Sequence, residues 1–175
     1  MKFIIARSKF LEGLKAVQNI VAGKGTLPIL NNVMINAGTG DDTIYSTGDN
    51  VTIHAGTGND SVHSTGERNY IYGENDADSI HNKGAYSTIN AGLGDDHITN
   101  EASHVAIDAS GDDDTILNDG GSNSTLLGGM GNDLINNWGA DTSINGGAGN
   151  DSIWNHASNV NIDAGVGDDA IFNEN

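Results

Sequence analysis

The chain has 175 residues, no cysteine, one proline (Pro28) and 25 glycines, a composition that excludes a disulfide framework and leaves packing or a metal to reinforce the fold. Its formal charge of −17 is unevenly spread: residues 1–35 set Lys2, Arg7, Lys9, Lys15 and Lys24 against Glu12, whereas residues 36–175 set Arg68 and Lys83 against 23 carboxylates, a net −21. A segment that acidic repels nucleic acid and anionic membranes and needs counter-ions to become compact, and no apolar run is long enough for membrane insertion.

In chain order, Met1-Lys2-Phe3-Ile4-Ile5 reads as a strand, and Arg7 interrupts the apolar run too early for a signal-peptide pattern, so no export signal is visible. Ser8 is placed to cap a helix with Leu11, Leu14, Val17, Ile20 and Val21 on one face, ended by Gly23 and Gly25. Residues 26–35 return as a second extended segment. Met1-Lys2-Phe3, this helix, Thr26-Leu27-Pro28-Ile29-Leu30 and Asn32-Val33 resemble the start of the bacterial β sliding clamp of DNA polymerase III. That family encircles DNA with a ring of repeated subdomains, which one strand–helix–strand piece cannot form. The segment is therefore expected as a β-α-β cap or a fusion, with a DNA-clamp fragment as the remote alternative, and no functional residue is carried over.

From residue 36 the chain is periodic. Ile35, Ile53, Ile71, Ile89, Ile107, Leu126, Ile144 and Ile162 stand 18 residues apart, with one step of 19. Ile44, Val62, Ile80, Ile98, Ile116, Ile135, Ile153 and Ile171 form a second column nine residues after the first. Disorder is the alternative for a chain rich in Gly, Asp and Asn, but two aliphatic columns held in register over eight turns argue for a stacked repeat. Each turn then has two short strands that send an aliphatic residue inward, and neighbouring turns pair at about 4.8 Å. The fold class expected is all-β: a parallel β-roll of about eight 18-residue turns, a rod on the order of 35–40 Å long.

The bend between the two columns carries the chemistry. It holds Gly38 and Gly40, Gly56 and Gly58, Gly92 and Gly94, Gly129 and Gly131, Gly147 and Gly149, and Gly165 and Gly167. It always places an aspartate two residues before the second column: Asp42, Asp60, Asp78, Asp96, Asp114, Asp133, Asp151 and Asp169. Residues two apart on a strand face the same way, so these carboxylates point inward with the aliphatic residues. Stacked at strand spacing they repel, by roughly 3–4 kcal/mol per neighbouring pair at an effective dielectric of 20. A hard cation between turns relieves that repulsion; calcium accepts six to eight oxygens in flexible geometry, including exposed backbone carbonyls, and suits the site better than magnesium.

These bends resemble the RTX nonapeptide G-G-x-G-x-D-x-U-x. Residues 128–136 and 146–154 match every defined position, and four more bends match with alanine in first place. The resemblance implies a right-handed β-roll of the RTX (hemolysin-type) family over residues 36–175, with Ca2+ between successive turns. The third and fifth bends depart, with Glu74, Asp76, Ser110 and Asp112 where glycine is expected, and whether they bind calcium stays open. The opposite bend has Val51, Asn69, Ser87, Val105, Ser124, Thr142 and Val160 in place of aspartate, so calcium is expected along one edge only, in at most seven gaps.

Behind the second column Ser46, Ser64, Asn82, Asn100, Asn118, Asn137, Asn155 and Asn173 line up for turn-to-turn hydrogen bonds. The extra residue of the 19-residue step falls at 119–123, as a small bulge. The six histidines show no metal-ligand spacing, and no nucleophile is paired with a base, so no enzyme is expected. The outward column Tyr45, His63, His81, Thr99, Leu117, Asn136, Trp154 and Phe172 reads as cross-strand packing or as a glycan or partner surface.

The function expected is a calcium-stiffened structural rod of a secreted or cell-surface protein, associating head-to-tail through its solenoid ends into filaments. A glycan-binding adhesin module and an accessory module of an absent enzyme domain are the alternatives. The extracellular or cell-surface location follows from the family resemblance, and a calcium affinity of about 10⁻⁴–10⁻³ M, typical of extracellular modules, is expected with it.

Overall fold

The computed structural model describes residues 33–174; residues 1–32 of the expected N-terminal cap (1–35) lie outside them. Sixteen strands alternate in length. The six-residue strands are β1 (Met34–Thr39), β3 (Thr52–Thr57), β5 (Tyr70–Asn75), β7 (Thr88–Leu93), β9 (Ala106–Gly111), β11 (Thr125–Met130), β13 (Ser143–Ala148) and β15 (Asn161–Val166). The four-residue strands are β2 (Thr43–Ser46), β4 (Ser61–Ser64), β6 (Ser79–Asn82), β8 (His97–Asn100), β10 (Thr115–Asn118), β12 (Leu134–Asn137), β14 (Ser152–Asn155) and β16 (Ala170–Asn173). The odd strands form one eight-stranded parallel sheet and the even strands another. The described chain is thus a parallel β-solenoid of about eight turns, and its first strand straddles residues 35 and 36.

Strand register follows the columns read from the sequence. Ile35 stands beside Ile53 and Ile53 beside Ile71 in one sheet, as Ile44 does beside Val62 and Val62 beside Ile80 in the other. Twelve of these side chains, Ile53 to Ile144 and Val62 to Ile153, have almost no solvent contact. Each contributes roughly 1.5–3 kcal/mol on burial. The long strands send a second residue inward, an alanine or glycine such as the fully buried Ala55, Ala91 and Ala109. The core is therefore a flat slot, wide at the aliphatic columns and narrow towards the front bend.

Glycine is required where turns touch backbone to backbone. Gly56 and Gly58 have φ of 119° and 112°, and a Cβ on Gly56 would run into the carbonyl oxygen of Gly38. The back bends reach the same left-handed region without glycine, at Asn50, Arg68, Tyr86, His104, Asn123, Asp141 and Asn159, all with φ between 55° and 61°. The extra residue sits at Gly120 (φ 86°), whose N–H turns back to the Asn118 carbonyl at 3.2 Å.

Candidate metal centre

Each aspartate of the front row lies immediately ahead of a short strand, with its carboxyl inside the turn. Asp60, Asp78, Asp96, Asp114, Asp133 and Asp151 are at most 3 % exposed, whereas Asp42 and Asp169, at the two ends, are half-buried. In every one of the seven gaps the backbone N–H of one aspartate donates to Oδ1 of the aspartate in the following turn. These bonds run from Asp42 to Asp60, then to Asp78, Asp96, Asp114, Asp133, Asp151 and Asp169, at 2.7–2.9 Å. The second oxygen, Oδ2, of all six buried aspartates has no hydrogen-bond partner among the described residues.

This arrangement disfavours ionisation. Burial pushes the Asp114 carboxyl up to about 8 and that of Asp96 to about 7; the backbone N–H bond opposes the rise and neighbouring carboxylates add to it. The carboxyls of Asp78 and Asp133 rise to about 6 for the same reasons, and those of Asp60 and Asp151 are also raised. A buried, half-satisfied carboxylate is costly unless a proton or a cation meets it.

The predicted glycines of the bend, Gly38, Gly40, Gly56, Gly58, Gly92, Gly94, Gly129, Gly131, Gly147, Gly149, Gly165 and Gly167, all take positive φ. Glu74, Asp76, Ser110 and Asp112 keep the same left-handed conformation, with φ between 70° and 84°, so the two irregular bends share the path of the others. Their side chains are put to use. Asp76 Oδ2 accepts from the Gly58 N–H and Asp112 Oδ2 from the Gly94 N–H, each at 3.0 Å. Glu74 meets His54 at 2.7 Å, and Ser110 accepts from Asn90 and donates to Asp108.

Sequence reasoning missed a second, outer row. Asp41, Asn59, Asp95, Asp113, Asn132 and Asn150 each accept, through Oδ1, the backbone N–H of the corresponding residue one turn later. Its signal was present, since Asp or Asn precedes the front aspartate in seven of the eight bends, with Ala77 the exception. The two rows bond in opposite directions along the rod and stitch the front bends together.

On the back edge the expected amide ladder is continuous from Asn82 through Asn100, Asn118, Asn137 and Asn155 to Asn173, with Nδ2 to Oδ1 distances of 2.7–2.9 Å. Each amide from Asn82 to Asn155 also donates to a backbone carbonyl of its own bend. Val51, Asn69, Ser87, Val105, Ser124 and Thr142 are buried, and Asn69 accepts the Val51 N–H at 2.7 Å. On the outer face, Tyr45 stacks on His63 and Trp154 on Phe172, with ring centroids 5.0 and 4.0 Å apart; in the back bends Trp138 stacks on His156 at 4.6 Å.

Among the described residues, no three His, Asp or Glu side chains converge in metal-ligating geometry. The front row therefore offers a cation one buried, unpartnered carboxylate oxygen in each of six turns, and backbone carbonyls would have to complete its shell. Buried oxygens without partners, of hard-ligand chemistry, fit calcium on that basis.

A family model described as DNA polymerase III beta subunit, N-terminal domain, matches residues 1–69. The match covers less than half of the chain, and its last part runs through β1 to β4, the first two turns of the solenoid. No curated protein and no solved structure matches the chain.

Proposed function

We propose that residues 36–175 act as a calcium-binding structural rod, folded or stiffened when Ca2+ neutralises the inward aspartate row. The observation that carries this reading is the line of six buried Oδ2 atoms with no hydrogen-bond partner among the described residues, set in a segment of net charge −21. At an affinity of about 10⁻⁴–10⁻³ M, 10 mM calcium would contribute roughly 1.4–2.7 kcal/mol per site. Such affinities suit an extracellular or cell-surface setting. Circular dichroism of the whole chain tests it: strand content and melting temperature at neutral pH are expected to be lower in excess chelator, to rise with millimolar calcium and to change little with magnesium. Full strand signal in chelator at neutral pH, unaltered by calcium, overturns it.

Head-to-tail association into filaments is part of the same proposal, on the principle that an open sheet edge can recruit a further strand. Sedimentation with calcium is expected to show mass rising with concentration; a strict monomer removes the filament. A glycan-binding role is favoured by one observation: both tryptophans, 46 % and 37 % exposed, lie in stacked aromatic pairs. Glycan-array binding abolished by Trp154→Ala supports that role, and its absence leaves the rod alone.

A further inference from the structure

One outward column of the long sheet, at the rim of the front bends, changes character along the rod. In register it is polar in the first three turns, at Thr39, Thr57 and Asn75, and apolar from Leu93 onward, through Gly111, Met130 and Ala148 to Val166. Leu93, Met130 and Val166 are 56, 65 and 77 % exposed. Gly111 is the buried member of the column, because Leu93 and Met130 stand over it. A Cβ there would lie 3.6 Å from Leu93 Cδ2 and 3.7 Å from Met130 Cε, which is ordinary contact. The result is a notch of about 360 Å³, at the small end of ligand pockets, lined by Leu93, Gly111, Met130, Gly131, Asp112 and Asp113. The fold takes one oxygen of each of these two carboxylates: Asp112 Oδ2 accepts the Gly94 N–H at 3.0 Å and Asp113 Oδ1 the Asn132 N–H at 2.7 Å. The other oxygen of each has no hydrogen-bond partner among the described residues. The two cations of the acidic segment are engaged elsewhere, Arg68 with Glu67 and Lys83 with Glu101.

We infer that the notch over Gly111 is a docking site for a lysine side chain of a partner protein, presented on an extended segment that crosses the turns. The methylenes of such a side chain lie between Leu93 and Met130 while its ammonium reaches the open oxygens of Asp112 and Asp113, a division that suits a long amphipathic side chain. Single exposed apolar residues are ordinary on a protein surface; a line of them, notched and edged by carboxylates, marks an interaction site. Charge selects the occupant, since an acidic edge with no cation of its own complements a basic partner. A peptide fits better than a free amine, because the apolar line runs on to Val166. From Gly111 to Val166 is three turn steps, about 14 Å, and an extended chain covers about 13 Å in four residues. A lysine followed four residues later by an aliphatic side chain therefore spans both points. This reading does not depend on calcium in the aspartate row.

The chain supplies its own reporter, because its three methionines are Met1, Met34 and Met130 and the last of them lines the notch. The full chain, labelled with carbon-13 at the methionine methyls, is titrated in calcium with the peptide acetyl-Lys-Ser-Ser-Ser-Leu-amide. Expected is a saturable shift of the Met130 methyl, with Met1 and Met34 unmoved. Replacing the peptide's lysine by norleucine, which keeps the alkyl chain and drops the charge, is expected to weaken binding about fivefold, as is Asp112→Asn with Asp113→Asn. Asparagine retains the acceptors that the fold uses, and Asp41→Asn with Asp49→Asn removes the same charge from the first turn as a control. Gly111→Ala, at a glycine outside the left-handed region, fills the floor of the notch and is expected to weaken binding as well. Circular dichroism checks that every variant keeps the parent fold. A Met130 methyl that does not move, a norleucine peptide that binds as tightly, or a loss as large in the first-turn control as at Asp112 and Asp113 overturns the inference.

Discussion

At the scale of single residues, the six buried front aspartates are divided: Oδ1 accepts from the backbone of the preceding turn and Oδ2 has no partner among the described residues. Asp114 shows the consequence most strongly, with its carboxyl pushed up to about 8. Asp114→Asn keeps an acceptor for the Asp96 N–H and removes the buried charge. In chelator at pH 8 it is expected to stabilise the protein by about 1 kcal/mol, a melting temperature some 2–4 °C higher, with the gain vanishing at pH 4. The opposite is expected on the back edge. Asn100 accepts from Asn82 and the Ala102 N–H and donates to Asn118 and the Ala102 carbonyl. Asn100→Ala is expected to cost about 3 kcal/mol in a denaturant melt, because it orphans buried partners on both sides.

The front aspartate row and the back asparagine ladder were legible in the sequence as columns, since an 18-residue period fixes which residues stack; the outer Asp/Asn row was missed. The division of each carboxylate was not legible, because it depends on the bend bringing a backbone N–H opposite one oxygen. Nor did the sequence mark Arg68, Tyr86 and His104 as left-handed: only Asn and Asp at the same place hint at it, and stacking on turns already bent that way overrides preference. Glu74, Asp76, Ser110 and Asp112 read as breaks in a glycine pattern, yet they follow the glycine path, with Asp76 and Asp112 supplying acceptors to the turn before.

Elements here are stable only as neighbours. A four-residue strand such as β10 buries one aliphatic side chain, Ile116, between Ile98 and Ile135. Ile116→Ala is expected to cost 2–5 kcal/mol, near the upper end because flanking turns cannot collapse into the cavity without losing register. The 19-residue step was readable as a bulge, and it touches only the back bend: Asn118 reaches the Gly121 carbonyl, three residues on, where the other ladder amides reach two. Deleting Gly120 restores the common spacing. Expected is a folded protein within about 1 kcal/mol of the parent by thermal melting, and a large loss would show the bulge to be required.

For the whole molecule, the raised carboxyls set the direction of pH dependence. A group that holds its proton more tightly when folded stabilises the fold below its unfolded value near 4 and loses that contribution as pH rises through its folded value. With Asp78 and Asp133 at about 6, Asp96 at about 7 and Asp114 at about 8, metal-free stability falls across pH 4 to 8. Calcium works in the other direction, because it binds the ionised row and so is most effective where protons are absent. Protons and calcium are alternative means of neutralising the same buried oxygens, and the rod needs one of them.

Thermal melting followed by circular dichroism, at pH 4.5 and pH 8 with chelator and with 10 mM calcium, puts the aspartate row to trial. Expected is a melting temperature that drops from pH 4.5 to pH 8 in chelator and is restored at pH 8 by calcium but not by magnesium. Equal melting temperatures in all of these conditions would contradict the central role given to those six inward carboxyls.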